Sequence, residues 1–229
     1  MNILIFSDTH LTNKFDNDKF KFLKKIIDTS DQVIINGDFW DGWFTNFDGF
    51  LKSKWNRLFP LLLKKNAIYL YGDHDPADRC DGRVNLFSVK TGESYNLILE
   101  KKTYHIEHGH RILKGKMSKF LEIYGLLLNK VDRSLFRKTL YNFLHFLEYL
   151  GYNLIGLSLM TESKVAKRNN EIIKQSNNHR EFLICGDTHC AEMDKNKMFA
   201  NSGCINYGNA YYLMINYGEI VLHKENYQS

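Results

Sequence analysis

Gln32-Val33-Ile34-Ile35-Asn36-Gly37-Asp38-Phe39-Trp40-Asp41 decides the fold. An apolar run of strand length stops at a Gly-Asp pair, and a second carboxylate follows three residues later. The same grammar recurs on both sides. Asn2 to Ser7 is an apolar run closed by Asp8-Thr9-His10, and Phe20, Leu23, Ile26 and Ile27 follow it at helical spacing. Leu51 to Leu63 has helix-like apolar spacing that Pro60 must kink or interrupt. Ala67 to Tyr71 is a third strand, closed by Gly72-Asp73-His74-Asp75. Strands alternating with helical patterns imply βαβ units and a largely parallel sheet.

Farther along, Tyr95 to Leu99 and Thr103 to Glu107 read as a hairpin that runs into His108-Gly109-His110. Between Lys116 and Lys174 the character changes. Phe120, Leu121, Tyr124 and Leu128, then Leu140, Phe143, Leu144 and Leu147, recur at three and four, as in two or three amphipathic helices. Strand grammar resumes at Phe182 to Cys185, closed by Gly186-Asp187-Thr188-His189. Lys197 to Asn201, Tyr211 to Asn216 and Glu219 to His223 follow, with Tyr217-Gly218 as a hairpin turn. The 229 residues suit one large domain, 1–229, carrying a helical insertion at about 114–176.

Composition narrows the class. With 44% hydrophobic and 25% charged residues, disorder and fibrous repeats are set aside. Four cysteines without a C-x-x-C pair argue against a disulfide framework and for a reducing cytoplasm. No run approaches the roughly 18 apolar residues a membrane span needs. Net charge is +5, but Arg111 to Arg180 holds 13 Lys+Arg against 5 Asp+Glu, which leaves the rest of the chain acidic. That segment lacks a nucleic-acid recognition motif, so nucleic acid is not the expected partner.

Five Asp/His clusters each follow a strand, and in α/β sheets strand ends converge on one edge where ligands bind. Carboxylates packed together repel one another unless a cation neutralises them. Asp with His and without Cys suits Mn²⁺, Fe²⁺, Zn²⁺ or Mg²⁺. Seven such ligands are too many for one tetrahedral ion, whereas two ions sharing a bridging carboxylate would use them all. Such a pair, about 3.5 to 4 Å apart, is a clamp for in-line phosphoryl transfer. Taken singly, each Gly-Asp is more often a turn or cap; five in order at strand ends outweigh that. Cys185 and Cys190 read as small packed residues, His105 as facing away from the cluster, and His145 as a packed helix residue.

The ordered series resembles the calcineurin-like metallophosphoesterases, with their D-x-H, G-D-x-x-D/E, G-N-H-D/E, later H and G-H-x-H, over nearly the whole chain. Asp38-Phe39-Trp40-Asp41-Gly42-Trp43 and the basic insertion look most like the UDP-2,3-diacylglucosamine pyrophosphatase branch. The resemblance implies a four-layer α/β/β/α sandwich with a helical cap. Residue by residue, Asp8, His10 and His189 would hold one metal, Asp38 would bridge, and Asp73, His108 and Asp187 would hold the second, with Mn²⁺ the expected ion. His74 would stabilise or protonate the leaving oxygen, oriented by Asp41 or Asp75, and Lys164, Lys167 or Arg168 would meet the phosphate. Asp73 stands where the family has Asn, Asp187 where it has His, and His110 where the branch has Asp. His74 matches the general pattern, where the branch has Arg. The expected function is dinuclear hydrolysis of a phosphoester or pyrophosphate bond, with a lipid-linked nucleotide as the branch's substrate and peripheral membrane contact through the cap. The alternatives are a general phosphomonoesterase or nucleotide phosphodiesterase and, in another class, a binding protein with a degraded second site.

Overall fold

Strand β1 (Asn2–Phe6) sets the layering, because successive strand side chains point to opposite faces. Ile3 and Ile5 enter one apolar core and Leu4 and Phe6 another, all fully buried. β2 (Gln32–Asn36) repeats the division, with Ile34 on one side and Val33 and Ile35 on the other. A sheet so built must be covered on both faces.

In this computed structural model, which describes residues 1–113, 162–176 and 181–228, and for 162–166 the backbone alone, both covers are present. The first sheet runs in the order β10 (Ile205–Asn206), β11 (Asn209–Asn216), β1, β2, β3 (Ile68–Leu70) and β4 (Lys90–Gly92), with β12 (Glu219–Asn226) paired to β11. Strands β1 to β4 are parallel, and β11 runs antiparallel to β1. The second sheet has the order β5 (Ser94–Leu99), β6 (Lys102–Glu107), β7 (Phe182–Cys185), β9 (Phe199–Asn201) and β8 (Glu192–Asp194), with β6, β7 and β9 parallel. Ile3, Ile5, Ile34, Ile68 and Leu70 of the first sheet pack against Leu97, Tyr104, Ile106, Ile184 and Ala200 of the second.

Helices α1 (Asn17–Asp28), α2 (Phe47–Leu51) and α3 (Phe59–Lys64) cover the outer face of the first sheet. Asp16 caps α1, its carboxylate accepting from the Asp18 and Lys19 N–H groups. The helix buries Phe20, Leu23, Ile26 and Ile27, each worth roughly 1.5–3 kcal/mol of transfer free energy. On the far side, helix α4 (Glu162–Gln175) lays Ile172 against Leu183, Cys185 and Phe199. The layers are thus α/β/β/α.

The expected helix over Leu51 to Leu63 is divided. A 3₁₀ turn at Lys54–Leu58 separates α2 from α3, and Pro60 falls in the first turn of α3, where its missing N–H has no helical partner to lose. Strands β4, β8 and β10, of three, three and two residues, were not expected, being too short to show a period. Of the expected insertion, α4 alone falls within the described residues; 114–161 lie outside them.

Candidate metal centre

Because β1, β2 and β3 are parallel, Asp8, Asp38 and Asp73 leave the same edge of one sheet. His108 and Asp187 leave β6 and β7 of the other. The two edges are stitched at Asn36, whose side-chain amide donates to Glu107 O at 3.1 Å while the Asn36 backbone carbonyl accepts from His108 Nδ1 at 2.7 Å. The first two loops interlock, since Thr9 N and His10 N both donate to Asp38 O, at 2.9 and 3.0 Å.

Backbone strain gathers on these loops. Asp8, His10, Asp38, Asp187 and His189 all have φ between 45° and 65°. That left-handed region costs an L residue roughly 1–2 kcal/mol, and such strain concentrates where function fixes the chain. Gly72 answers a different need from the turn expected for it. A Cβ there would overlap Asp38 Oδ1, so its hydrogen leaves room for that carboxylate. Gly37, at φ 82°, combines both demands, since a Cβ would also collide with the His108 ring.

The side chains meet in two adjoining groups. In the first, His189 Nε2 stands 3.1 Å from Asp8 Oδ1, and His10 Nε2 lies 3.9 Å from that oxygen and 3.7 Å from Asp38 Oδ2. In the second, His108 Nε2 lies 3.4 Å from Asp38 Oδ2 and 3.5 Å from Asp73 Oδ1. Asp38 is shared by both. The Asn36 backbone carbonyl engages His108 Nδ1, which turns Nε2 toward the carboxylates, the orientation a ligating imidazole needs. Among the described residues, His108 Nε2 and Asp8 Oδ1 are buried without a hydrogen-bond partner. Buried polar atoms are otherwise nearly always paired, and a divalent cation is the partner this oxygen and nitrogen set fits.

Without a cation the charges are in conflict. Burial pushes the Asp38 carboxyl up, and Asp73 raises it further against the opposing pull of His108. Burial also works to raise Asp8, but the His189 and His108 imidazoles hold it below its ordinary value. Burial opposes charge on His74, yet Asp38 and Asp41 hold its imidazole protonated well above the usual range. Burial and the facing imidazoles of His74 and His189 keep His10 neutral.

Of the residues expected here, Asp8, His10, His189, Asp38, Asp73 and His108 are brought together, each in at least one trio whose ligand atoms lie within 4.8 Å of one another. Asp187 is beside them but joins no such trio among the described residues, and its Oδ2 pairs with Arg168 Nη2 at 3.2 Å. Lys167 is exposed, and the Lys164 side chain lies outside the described ones. His105 does face away, bonded to Asn96 and Glu107, while His145 is outside the described residues. The choice between Asp41 and Asp75 resolves on Asp41, whose Oδ1 is 3.1 Å from His74 Nδ1. Asp75 instead accepts from four backbone N–H groups. Two residues were missed. Trp43 stacks on His74 with centroids 4.2 Å apart and planes 9° apart. His110 forms a trio with Asp73 and His108, a role its i,i+2 spacing from His108 across a glycine could have signalled.

An archaeal phosphodiesterase is 15% identical, covering 98% of this chain and 99% of its own, at a TM-score of 0.46. Yfce, a phosphoesterase from E. coli, is 16% identical over 94% of this chain and 88% of its own, at 0.43. Zinc-bound Vps29 from Entamoeba histolytica is 14% identical over 99% of each chain, at 0.42. No curated protein matches. No helix among the described residues is long and apolar enough to cross a membrane. The family model of the calcineurin-like phosphoesterases matches residues 1–174, well over half of the chain, and the chain therefore belongs to that family of metal-dependent phosphohydrolases.

Proposed function

We propose that this chain hydrolyses a phosphoester whose leaving oxygen needs a proton, using two divalent ions and His74. Asp8, His10 and His189 would hold one ion, Asp73 and His108 the other, and Asp38 both. When bound, the ions would neutralise the phosphoryl oxygens and supply a nucleophile at neutral pH. Manganese is the ion we expect for these mixed carboxylate and imidazole ligands without sulfur.

The arrangement of His74 carries the reading. Its backbone N–H donates to Asp38 Oδ1 at 3.0 Å, so the acid and the shared carboxylate move as one. Asp41 engages Nδ1, Trp43 covers one face, and His10 meets the ring edge-on at 4.5 Å between centroids. Asp38 and Asp41 keep the ring charged against its burial, and with Nδ1 on Asp41 the atom left to deliver a proton to the departing oxygen is Nε2. General acids of this kind contribute about 10²–10⁴ in rate.

A simple phosphomonoester or phosphodiester fits these groups. A lipid-linked nucleotide diphosphate, the substrate of the branch the sequence resembles, would draw its acyl contacts from 114–161, outside the described residues. Kinetics of His74→Ala on a series of esters test the acid. The loss should reach about 10² or more on alkyl phosphates and shrink on nitrophenyl phosphates. Equal losses across the series would refute it. A lipid-linked nucleotide diphosphate cleaved with higher kcat/KM than its water-soluble headgroup would replace the simple ester as substrate.

A further inference from the structure

Resting on the two-ion reading above, we infer that His110 and Asp187 have exchanged roles in this chain: His110 completes the second ion's ligand set, while Asp187 is a positioning residue that aims Arg168 at the substrate phosphate. Both residues adjoin the same group, and the structure separates them. Ligand atoms of Asp73, His108 and His110 all lie within 4.8 Å of one another. The His108 and His110 rings, 5.5 Å apart between centroids, are carried by one short turn in which Gly109 takes φ 115°. That backbone is open to glycine and strained for other residues, and it brings residues two apart to the same point.

Asp187 is occupied elsewhere. Its side chain is only 9% exposed, and its Oδ2 receives Arg168 Nη2 at 3.2 Å. The pairing is built in, because the next residue on α4, Asn169, is fully buried and bound to the loop that follows Asp187. Asn169 Nδ2 donates to Glu192 Oε2 at 2.7 Å and to Cys190 O at 3.2 Å, and its Oδ1 accepts from Thr188 Oγ1 at 2.8 Å. Arg168 is therefore held at the rim with its side chain 38% exposed and Nη2 on Asp187, and among the described residues its guanidinium makes no other hydrogen bond. A guanidinium matches phosphate in shape as well as charge.

Charge points the same way. Were Asp187 a ligand, Asp38, Asp73 and Asp187 would place three carboxylates on one ion, and a fixed guanidinium would stand against it. With His110 in that place the ion meets two carboxylates and two imidazoles, and the Asp187 charge is met by Arg168.

Manganese titration of the metal-free protein, with ion content per chain as the readout, separates the roles. The wild type should take up two ions; uptake of one would refute the two-ion reading itself, before the exchange is tested. Given two, His110→Ala should retain one ion and lose at least about a hundredfold in affinity for the other. The retained ion marks a folded variant, and His110→Gln repeats the test should Ala not fold. Asp187→Asn should still take up two ions with unchanged melting temperature, yet inorganic phosphate should inhibit it about tenfold less well, as it should Arg168→Gln. Loss of the second ion in Asp187→Asn, its retention in the His110 variants, or phosphate inhibition unmoved by Asp187→Asn and Arg168→Gln would each overturn the exchange.

Discussion

Asp75 is fully buried, and each of its oxygens serves two backbone donors. Oδ1 accepts from Asp38 N at 3.0 Å and Gly72 N at 2.8 Å, and Oδ2 from Phe39 N at 2.7 Å and Trp40 N at 3.3 Å. The carboxylate thus clasps the loop bearing Asp38 to the loop bearing Asp73. Asp75→Asn keeps the volume and removes half of this. Whichever way the amide is turned, two buried N–H groups face an NH₂. A buried donor left unpaired costs about 1–3 kcal/mol, so the variant should lose roughly 2–6 kcal/mol, a large share of the roughly 5–15 kcal/mol that holds a domain together. Urea denaturation in chelator measures this without contribution from bound ions. Asp41→Asn is the comparison: its Oδ1 can still accept from Trp43 N and His74 Nδ1, so only the charge of the His74 pair is lost and the cost should be smaller, about 1–3 kcal/mol. With the clasp loosened, affinity for both ions should also fall about 10–100-fold, as when a residue supporting metal ligands is removed. A variant within 0.5 kcal/mol of the wild type, about the resolution of such a comparison, would refute the clasp.

Two further outcomes follow from the same geometry. Gly72→Ala should displace the Asp38 carboxylate and abolish paired ion binding while leaving the secondary structure intact by circular dichroism; unaltered two-ion affinity would show that the loop gives way instead. Burial and Asp73 push the Asp38 carboxyl up, so protons compete with the ions for it; ion affinity measured by calorimetry should climb with pH above the usual carboxylate range and level off once Asp38 is ionised, whereas flat affinity from pH 5 upward would contradict this.

How far the sequence could be read follows from where its information is local. The loops at Asp8, Asp38, Asp73, His108 and Asp187 were legible because each interrupts an apolar run, and parallel strands carry such interruptions to one edge. The division of labour within a loop was not. Asp41 and Asp75 are both carboxylates close to His74 in the chain, and which one meets its ring depends on the left-handed turn at Asp38 and on where four N–H groups converge. The pairing of Arg168 with Asp187 depends on the docking of α4 through Asn169, a contact across the fold with no local pattern. Gly72 reads as a turn residue by itself, and only the position of Asp38 shows it to be a matter of space.

On the function proposed here, one carboxylate, Asp38, joins two ions. Low-temperature electron paramagnetic resonance of the protein titrated with Mn²⁺ tests it most directly, because two manganese ions sharing a bridge couple magnetically. A coupled dinuclear spectrum should grow to two ions per chain and collapse to an isolated-ion signal in Asp38→Asn. Saturation at one ion per chain, or two ions giving only uncoupled signals in the wild type, would contradict it.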